Sequence, residues 1–278
     1  MDVKDKGVFL TGGARGLGRG MCQALLEKGA KVLFCDVNAD TGRAAEAELQ
    51  GKYGADHVIF SQCDVTDADQ MKASFQRAVS QWGAVDICVN NAGVMDERIW
   101  EKMIQTNTMG QIRGSQLALE HMRRDEGGRG GVIVNTVSMA GLIPCHWFPA
   151  YCASKHAVVG YTTSWARNPM AGAMGVRWCC LCPVSVNTDM MTSLQEDQIF
   201  DMDNFRERAA DTMLQPEEVV QAFMRLVEDS DNNGAILEVW RGKGATYRKR
   251  QLVDMDGVSN PMVVDNPSQT SLKPSDVK

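Results

Sequence analysis

The sequence lacks several features that would place it outside the class of ordinary globular domains. No apolar run approaches the roughly 20 residues that a membrane-spanning helix needs, and the first residues lead into a strand-like run without a signal-peptide region. The formal net charge is −6, with no basic stripe, which disfavours nucleic-acid binding. We therefore expect neither a membrane span nor a nucleic-acid partner.

Histidine is also scarce, with only four residues scattered along the chain, so we expect no metal site. Cysteine is more frequent, but its number, nine, is odd. Several cysteines fall in strand-like runs, among them Cys35, Cys88, Cys179 and Cys180. Such residues are typical of buried, reduced thiols, which indicates a cytoplasmic protein.

The sequence does contain a regular alternation of strand-like and helix-like segments. Apolar strand-like runs occur near residues 8–11, 31–35, 57–62, 85–90, 132–138, 176–182 and 235–240. Helical signals lie between them, at 17–29, 40–50, 66–82 with Thr66 as a cap, 100–124, 151–165 and from Pro216. This alternation predicts an α/β fold, a single-domain Rossmann-type doubly wound parallel sheet with helices on both faces, over residues 1–256.

Two regions interrupt this pattern. Residues 184–214 are irregular and polar, with methionine and phenylalanine embedded, and we expect them to form a lid that excludes water from a substrate site. We call this range the lid segment. Residues 257–278 are rich in proline, serine, asparagine and aspartate, a composition that predicts a flexible tail.

A glycine-rich segment, residues 11–18, lies between the first strand and the first helix. Its glycines permit a tight turn close to a pyrophosphate, and the helix N-terminus supplies unpaired N–H groups. A plain glycine turn is the alternative for such a segment alone. Asp36, which ends the second strand, favours the cofactor interpretation, because a carboxylate there accepts both ribose hydroxyls and repels a 2′-phosphate. We expect NAD rather than NADP, although Arg15 could partly compensate a 2′-phosphate.

Tyr151 and Lys155 lie four residues apart, on one face of a predicted helix. The lysine charge should favour phenolate and lower the tyrosine pKa, which suits the interconversion of an alcohol and a ketone. Taken alone, such a pair is usually a solvated helix face. Ser138, at the end of the fifth strand, could orient the reacting oxygen, although a lone serine there would more often cap a loop.

Together these motifs resemble the short-chain dehydrogenase/reductase family over about residues 5–240. The matching elements are residues 11–18, Asp64-Val65, residues 90–93, Asn107, Ser138, Tyr151 and Lys155. The resemblance implies a NAD-dependent oxidoreductase that interconverts a secondary alcohol and a ketone. It also implies a homodimer, paired through the helices around residues 100–123 and 151–165. A NAD-binding regulatory or scaffold protein of the same fold, with little turnover, is the alternative.

The resemblance assigns catalytic roles to four residues. Tyr151 would exchange the substrate proton, Lys155 would hold the nicotinamide ribose, and Ser138 would bind the reacting oxygen. Asn107 would hold a water that relays protons to Lys155, although a lone asparagine more often satisfies a helix.

The resemblance also implies the cofactor contacts. Asp64 would bond the adenine amino group beside Val65, and Asn90 would line the cofactor with Ala92. The complete predicted set of cofactor-binding residues is Gly12, Arg15, Gly16, Leu17, Gly18, Asp36, Val37, Cys63, Asp64, Val65, Asn91, Ala92, Gly93, Tyr151, Lys155, Pro183, Val186 and Thr188.

The sequence is similar to a branch of the family that oxidises hydroxylated fatty acids and prostaglandins, and we expect a hydrophobic substrate of this kind. The similar segments are residues 90–94, 100–102, 138–144, 151–156, 186–188 and 233–236. Phe148 stands where that branch has a glutamine that contacts the substrate oxygen, and Val184 replaces the glycine of the usual Pro-Gly. The predicted pocket residues are Ser138, His146, Phe148, Tyr151 and Met190. A surface histidine and simple core packing are the alternatives for His146, Phe148 and Met190.

Overall fold

The structure is a computed structural model that describes residues 1–250 and 263–264. The strands of its main sheet, β1 to β8, span Gly7–Thr11, Lys31–Asp36, Val58–Gln62, Ile87–Asn90, Gly131–Thr136, Val176–Pro183, Ile236–Trp240 and Gly244–Tyr247. Two short strands, β9 (Lys249–Arg250) and β10 (Val263–Val264), pair antiparallel with each other. The predicted tail at 257–278 otherwise lies outside the described residues.

The helices lie between the strands in the alternation that the sequence predicts. In chain order, α1 to α10 span Gly16–Glu27, Ala39–Tyr53, Ala68–Trp82, Trp100–Ile104, Gln111–Met122, Pro149–Ala166, Ala171–Met174, Asp189–Thr192, Met202–Thr212 and Pro216–Glu228. A π-helical segment, Gln105–Gly110, joins α4 to α5. Short 3₁₀ turns occupy Glu97–Ile99, Arg124–Glu126 and Met139–Gly141.

The main sheet has the order β3-β2-β1-β4-β5-β6-β7-β8. Strands β1 to β7 pair in parallel, whereas β8 pairs antiparallel with β7. The chain order reverses between β1 and β4, and open α/β sheets bind ligands in the crevice at such a switch point. The predicted doubly wound fold is confirmed. The sequence pattern shows no strand-like run after 235–240, but in the structure β8 follows and pairs with β7.

Apolar layers cover both faces of the sheet, because successive strand residues point to opposite sides. In β1, Val8 and Leu10 pack with α1, α2 and α10, whereas Phe9 packs with α3 and α5. A parallel sheet covered on both faces needs nearly continuous apolar strands, which explains why these runs stand out in the sequence.

Two local predictions differ from the structure. The cap of α3 is Asp67 rather than Thr66, since the Asp67 carboxylate accepts from the backbone N–H groups of Asp69 and Gln70 at 2.9 and 3.0 Å. The lid segment is not uniformly irregular, because it contains α8 and α9. Met202, Phe205 and Ala209 are the buried residues of α9. Its buried side is a narrow apolar stripe in a mainly polar sequence.

Among residues 1–250 and 263–264, no helix has the length and apolarity needed to cross a membrane.

Candidate active site

One cleft at the switch point brings the predicted cofactor residues together, and all of them except Asn90 line it. The cleft follows the carboxyl ends of the central parallel strands, from the glycine-rich loop after β1 to the first turns of α6. The predicted pocket residues Ser138, Phe148, Tyr151 and Met190 line the same cleft. One elongated site therefore holds both predicted groups.

The glycine-rich loop packs so closely against neighbouring main chain that two of its glycines have no room for a side chain. Gly12 has φ +68°, and a Cβ there would lie 2.9 Å from the Ala92 Cα. A side chain at Gly18 would collide with the backbone oxygen of Gly12. The following helix, α1, begins without a side-chain cap and without an acidic residue in its first turn. Its N-terminal dipole and N–H groups therefore suit the pyrophosphate of a dinucleotide.

The loop is fastened to the turn after β4. Thr11 Oγ1 accepts from the backbone N–H groups of Asn91 and Ala92 at 3.0 and 3.1 Å. The Asn91 side-chain amide donates to the carbonyl oxygens of Thr11 and Gly12 at 3.2 and 3.1 Å. These bonds hold the two loops on either side of the cleft at a fixed separation.

The carboxylate of Asp36 is oriented at the far end of the cleft. Its oxygens accept from the backbone N–H groups of Ala14 and Asn38 at 3.2 and 3.1 Å. Arg15 extends toward the lid segment instead, where its guanidinium lies 3.8 Å from the Asp189 carboxylate. An anionic group at Asp36, with Arg15 engaged elsewhere, fits an adenosine ribose with free hydroxyls.

Tyr151 and Lys155 are both buried in the first turns of α6. The Lys155 ammonium donates to the Thr136 carbonyl at 2.9 Å and lies 5.6 Å from the centroid of the Tyr151 ring. Burial raises the pKa of Tyr151 to about 12, an effect that a hydrogen bond with the Ser138 side chain partly offsets. Burial lowers the pKa of Lys155 to about 8.

The expectation that Lys155 lowers the Tyr151 pKa is therefore wrong for this structure. Burial raises the Tyr151 pKa more than the hydrogen bond with Ser138 lowers it, and the Lys155 ammonium is bonded to Thr136 rather than to the phenol. The spacing of two residues in a sequence gives their proximity but not the depth at which a helix buries them.

Asn107 is fully buried within the π-helical segment and does not line the cleft. Its side chain accepts from the Val94 N–H at 2.8 Å and donates to the Val94 carbonyl at 2.9 Å. It also donates to the Ser154 hydroxyl at 3.2 Å, and that hydroxyl donates to the Tyr151 carbonyl at 2.7 Å. Asn107 thus connects the loop after β4 to α6.

Asn90, which the resemblance places beside the cofactor, lies instead in the core. Its amide donates to Ser115 Oγ at 3.0 Å and to Asn135 Oδ1 at 2.9 Å. The Asn135 amide in turn donates to Thr162 Oγ1 at 2.8 Å. This buried chain of polar groups holds β4, α5, β5 and α6 in register behind the cleft.

The substrate end of the cleft is apolar and aromatic. The Phe148 ring packs edge-on against Tyr151 and Phe205, with centroid distances of 5.5 and 5.6 Å. Met95 and Met202 belong to the same buried cluster. His146 does not join this wall, because it is exposed and its ring packs on Trp147 at 4.3 Å.

Sequence reasoning missed several residues of the cleft. The additional lining residues are Val94, Met95, Lys102, Thr106, Thr136, Val137, Val184, Ser185, Asp189, Met191 and Phe205. Position after a strand could have indicated Thr136 and Ser185, because parallel strands end at the cleft. Nothing in the local pattern distinguishes Phe205 from any other apolar residue of an amphipathic helix.

Within the described part of the chain, no group of three or more histidine, cysteine, aspartate or glutamate side chains could hold a metal ion. Cys179 and Cys182 do have a Cys-x-x-Cys spacing, but they lie on β6. Residues three apart on a strand point to opposite faces, and these two thiols pack in different apolar clusters.

Comparison with known proteins agrees with this geometry. A family model described as short chain dehydrogenase matches residues 6–199. The chain is 38% identical over 254 residues to 15-hydroxyprostaglandin dehydrogenase [NAD(+)] of Homo sapiens, an alignment that covers 89% of this chain and 96% of that protein. It is 35% identical over 196 residues to 3beta-hydroxysteroid dehydrogenase 2 of Eggerthella lenta, covering 67% and 73%. The resemblance inferred from the motifs is confirmed.

The depressed pKa of Lys155 has a consequence for stability. Between pH 8 and pH 10.5, the usual lysine pKa, Lys155 is protonated in the unfolded chain but has lost its proton in the folded chain. The free-energy penalty for burying its charge therefore decreases as pH rises through this range. At pH 7 this penalty is roughly 3 kcal/mol.

We predict that Lys155→Met raises the free energy of unfolding at pH 7 by about 1–3 kcal/mol, and that the gain shrinks toward pH 9.5. Urea unfolding at both pH values measures it. The exposed Lys72→Met is the control and should change little at either pH. A Lys155→Met protein less stable than the native one at pH 7 would contradict the penalty.

Proposed function

The chain belongs to the short-chain dehydrogenase family, and from this premise we propose that it interconverts an apolar secondary alcohol and its ketone with NAD. It is a NAD-dependent oxidoreductase that acts on CH–OH groups. The substrate class rests on one observation: Ser138 and Tyr151 meet at the end of the cleft where Phe148, Met95 and Phe205 form an apolar wall.

When bound in the cleft, NAD supplies the hydride acceptor for alcohol oxidation. The protein residues bind, orient and exchange the proton. Ser138 and Tyr151 present two hydroxyls to the substrate oxygen, one from the connection after β5 and one from α6. Because its pKa is about 12, Tyr151 carries its proton at neutral pH and is set to donate it to a ketone oxygen. Oxidation requires the reverse transfer, in which a deprotonated Tyr151 accepts the proton of the alcohol.

Five features of the chain support NAD as the cofactor. The glycine-rich loop and the uncapped start of α1 suit the pyrophosphate, and Asp36 suits a ribose without a 2′-phosphate. Asp64 and Val65 border the part of the cleft near Asp36, where we place the adenine. Lys155 has donors left after its bond to Thr136, and we propose that they hold the nicotinamide ribose.

The proposed proton transfer predicts that Tyr151→Phe lowers kcat by about 10²–10⁴-fold, because the phenol is removed while the ring packing remains. The measurement is NADH absorbance with hydroxylated fatty acids, prostaglandins and simple secondary alcohols. Tyr161→Phe is the matched control, since Tyr161 lies on the same helix and accepts a bond from Gln116 at 2.9 Å, outside the cleft. An undiminished rate for Tyr151→Phe would exclude the assigned role. Tight NAD binding without turnover by the native protein would instead favour a binding protein.

Phe148 provides a test of the substrate class. A hydrocarbon ring beside the reacting oxygen offers no hydrogen bond, so we expect the enzyme to prefer alcohols whose nearest neighbouring groups are apolar. Phe148→Gln should lower kcat/KM about tenfold for such alcohols and raise it for substrates with a second oxygen near the carbinol. Ile143→Gln is the control, because Ile143 lies on the same connection between β5 and α6 but is 40% exposed. Equal kcat/KM changes for both substrate types would contradict this specificity.

We also propose a homodimer, for which the outer faces of α4 and α6 provide support. The α6 face exposes mostly small side chains, at Ala153, Ala157 and Gly160, which allow close helix approach. Trp100 in α4 is 54% exposed and Met109 in the π-helical segment is 43% exposed, and a subunit contact on this side would bury both. The thiols of β6, fully buried and reduced, support the proposed cytoplasmic location.

A bulky charge on this face should separate the subunits. We predict that Ala157→Arg converts the dimer to a monomer by light scattering, because two guanidinium groups would meet where small residues pack. Ala73→Arg, an equally exposed alanine on α3, should leave the mass unchanged. A native protein that scatters as a monomer would overturn the proposal directly.

A further inference from the structure

The catalytic helix α6 begins without a cap of its own. Phe148 occupies the cap position and makes no side-chain hydrogen bond there, and Pro149 follows as the first helical residue. The next two backbone N–H groups, those of Ala150 and Tyr151, both donate to the carboxylate of Glu97, at 3.0 and 2.9 Å. A carboxylate from a distant segment therefore satisfies the first turn and its dipole.

Residues 96–98, which include this capping glutamate, also bind the lid segment. The backbone N–H of Glu97 donates to the Gln198 carbonyl at 2.8 Å, and the Gln198 side-chain amide donates to the Asp96 carboxylate at 2.9 Å. Arg98 binds the Asp96 carboxylate at 2.9 and 2.8 Å and reaches Asp197 at 2.6 Å. Hydrogen bonding from Arg98 lowers the pKa of Asp96 to about 2, so this carboxylate stays ionised at neutral pH.

The lid segment also contacts the cap position of α6 from its other side. The Phe200 N–H donates to the Trp147 carbonyl at 2.8 Å, and the Trp147 indole donates to Asn204 at 3.2 Å. Phe205 then packs on Phe148. Both sets of contacts converge on the turn that carries Tyr151.

We propose that Glu97 is a positioning residue, and that residues 96–98 transmit docking of the lid segment to Tyr151. The proposal rests on the proposed function, since Tyr151 is the residue positioned. When the lid segment is seated on Asp96 and Glu97, the carboxylate of Glu97 fixes the first turn of α6 and the phenol faces the substrate. When it is not seated, that turn loses its external cap. Substrate enclosure and proton transfer are thereby coupled.

Two variants cut the connection at different points. Gln198→Ala removes the side-chain bond to Asp96 without touching α6, and Glu97→Gln removes the charge that caps α6. Gln195→Ala and Glu101→Gln are their matched controls, both at exposed positions nearby. Each protein is examined by hydrogen exchange of residues 149–154, by NAD affinity and by kcat and KM.

We expect Gln198→Ala to increase exchange in the first turn of α6 and to lower kcat about tenfold, with NAD affinity unchanged. Glu97→Gln should do the same, and the double variant should be no slower than Glu97→Gln alone, because both act through one connection. The controls should match the native protein in all three measurements.

Faster exchange confined to residues 189–212 in Gln198→Ala, with native kcat and native α6 exchange, would overturn the proposal. So would a Glu97→Gln protein that is less stable but keeps native kcat, which is the result of a purely structural cap. Hydrogen exchange requires no substrate. It therefore tests the coupling between the lid segment and α6 separately from the proposed role of Tyr151, even if Tyr151→Phe retains activity.

Discussion

Burial of an ionisable pair at the start of α6 is the constraint on which the site depends. Lys155 is only 3% exposed and bonds a main-chain carbonyl rather than a carboxylate, so its charge is solvated by the protein at a cost in stability. Burial also keeps the Tyr151 proton in place. A surface pair with the same spacing would have ordinary pKa values and no enclosed partner. The reactivity of the two groups and the instability of their environment therefore have one origin.

Holding such a pair in position requires the surroundings to be rigid. The buried chain from Asn90 through Asn135 to Thr162 satisfies each amide that it encloses and connects two strands to α6 from below. Asn107 and Ser154 connect α6 to the loop after β4. Leaving any of these buried polar groups unpaired would destabilise the fold, so they favour one arrangement of the strand and helix ends. That arrangement determines where the Tyr151 phenol and the Lys155 ammonium lie.

The sequence predicts features that depend on local pattern and fails where tertiary contacts decide. Buried parallel strands are almost continuously apolar, and a glycine loop between strand and helix has a specific geometric cause, so both were predictable. The antiparallel β8 and the position of His146 depend on packing that no spacing encodes. Glu97 caps α6 through the N–H of Ala150, which lies 53 residues later in the chain, so no local signature could reveal it. The sign of the Tyr151 pKa shift depends on burial depth, which sequence proximity does not give.

The cleft is polar at one end and apolar at the other. At the glycine-rich loop and Asp36 the cleft presents main-chain N–H groups and a carboxylate, whereas at Phe148 and Phe205 it presents aromatic rings, which offer few directional contacts. An apolar pocket discriminates weakly by size, because a methylene changes binding by only about 1–3 kcal/mol. Selectivity for one alcohol must then come largely from geometry at the reacting oxygen. We propose that the hydroxyls of Ser138 and Tyr151 impose that geometry, and that they do so only while the first turn of α6 is held in place.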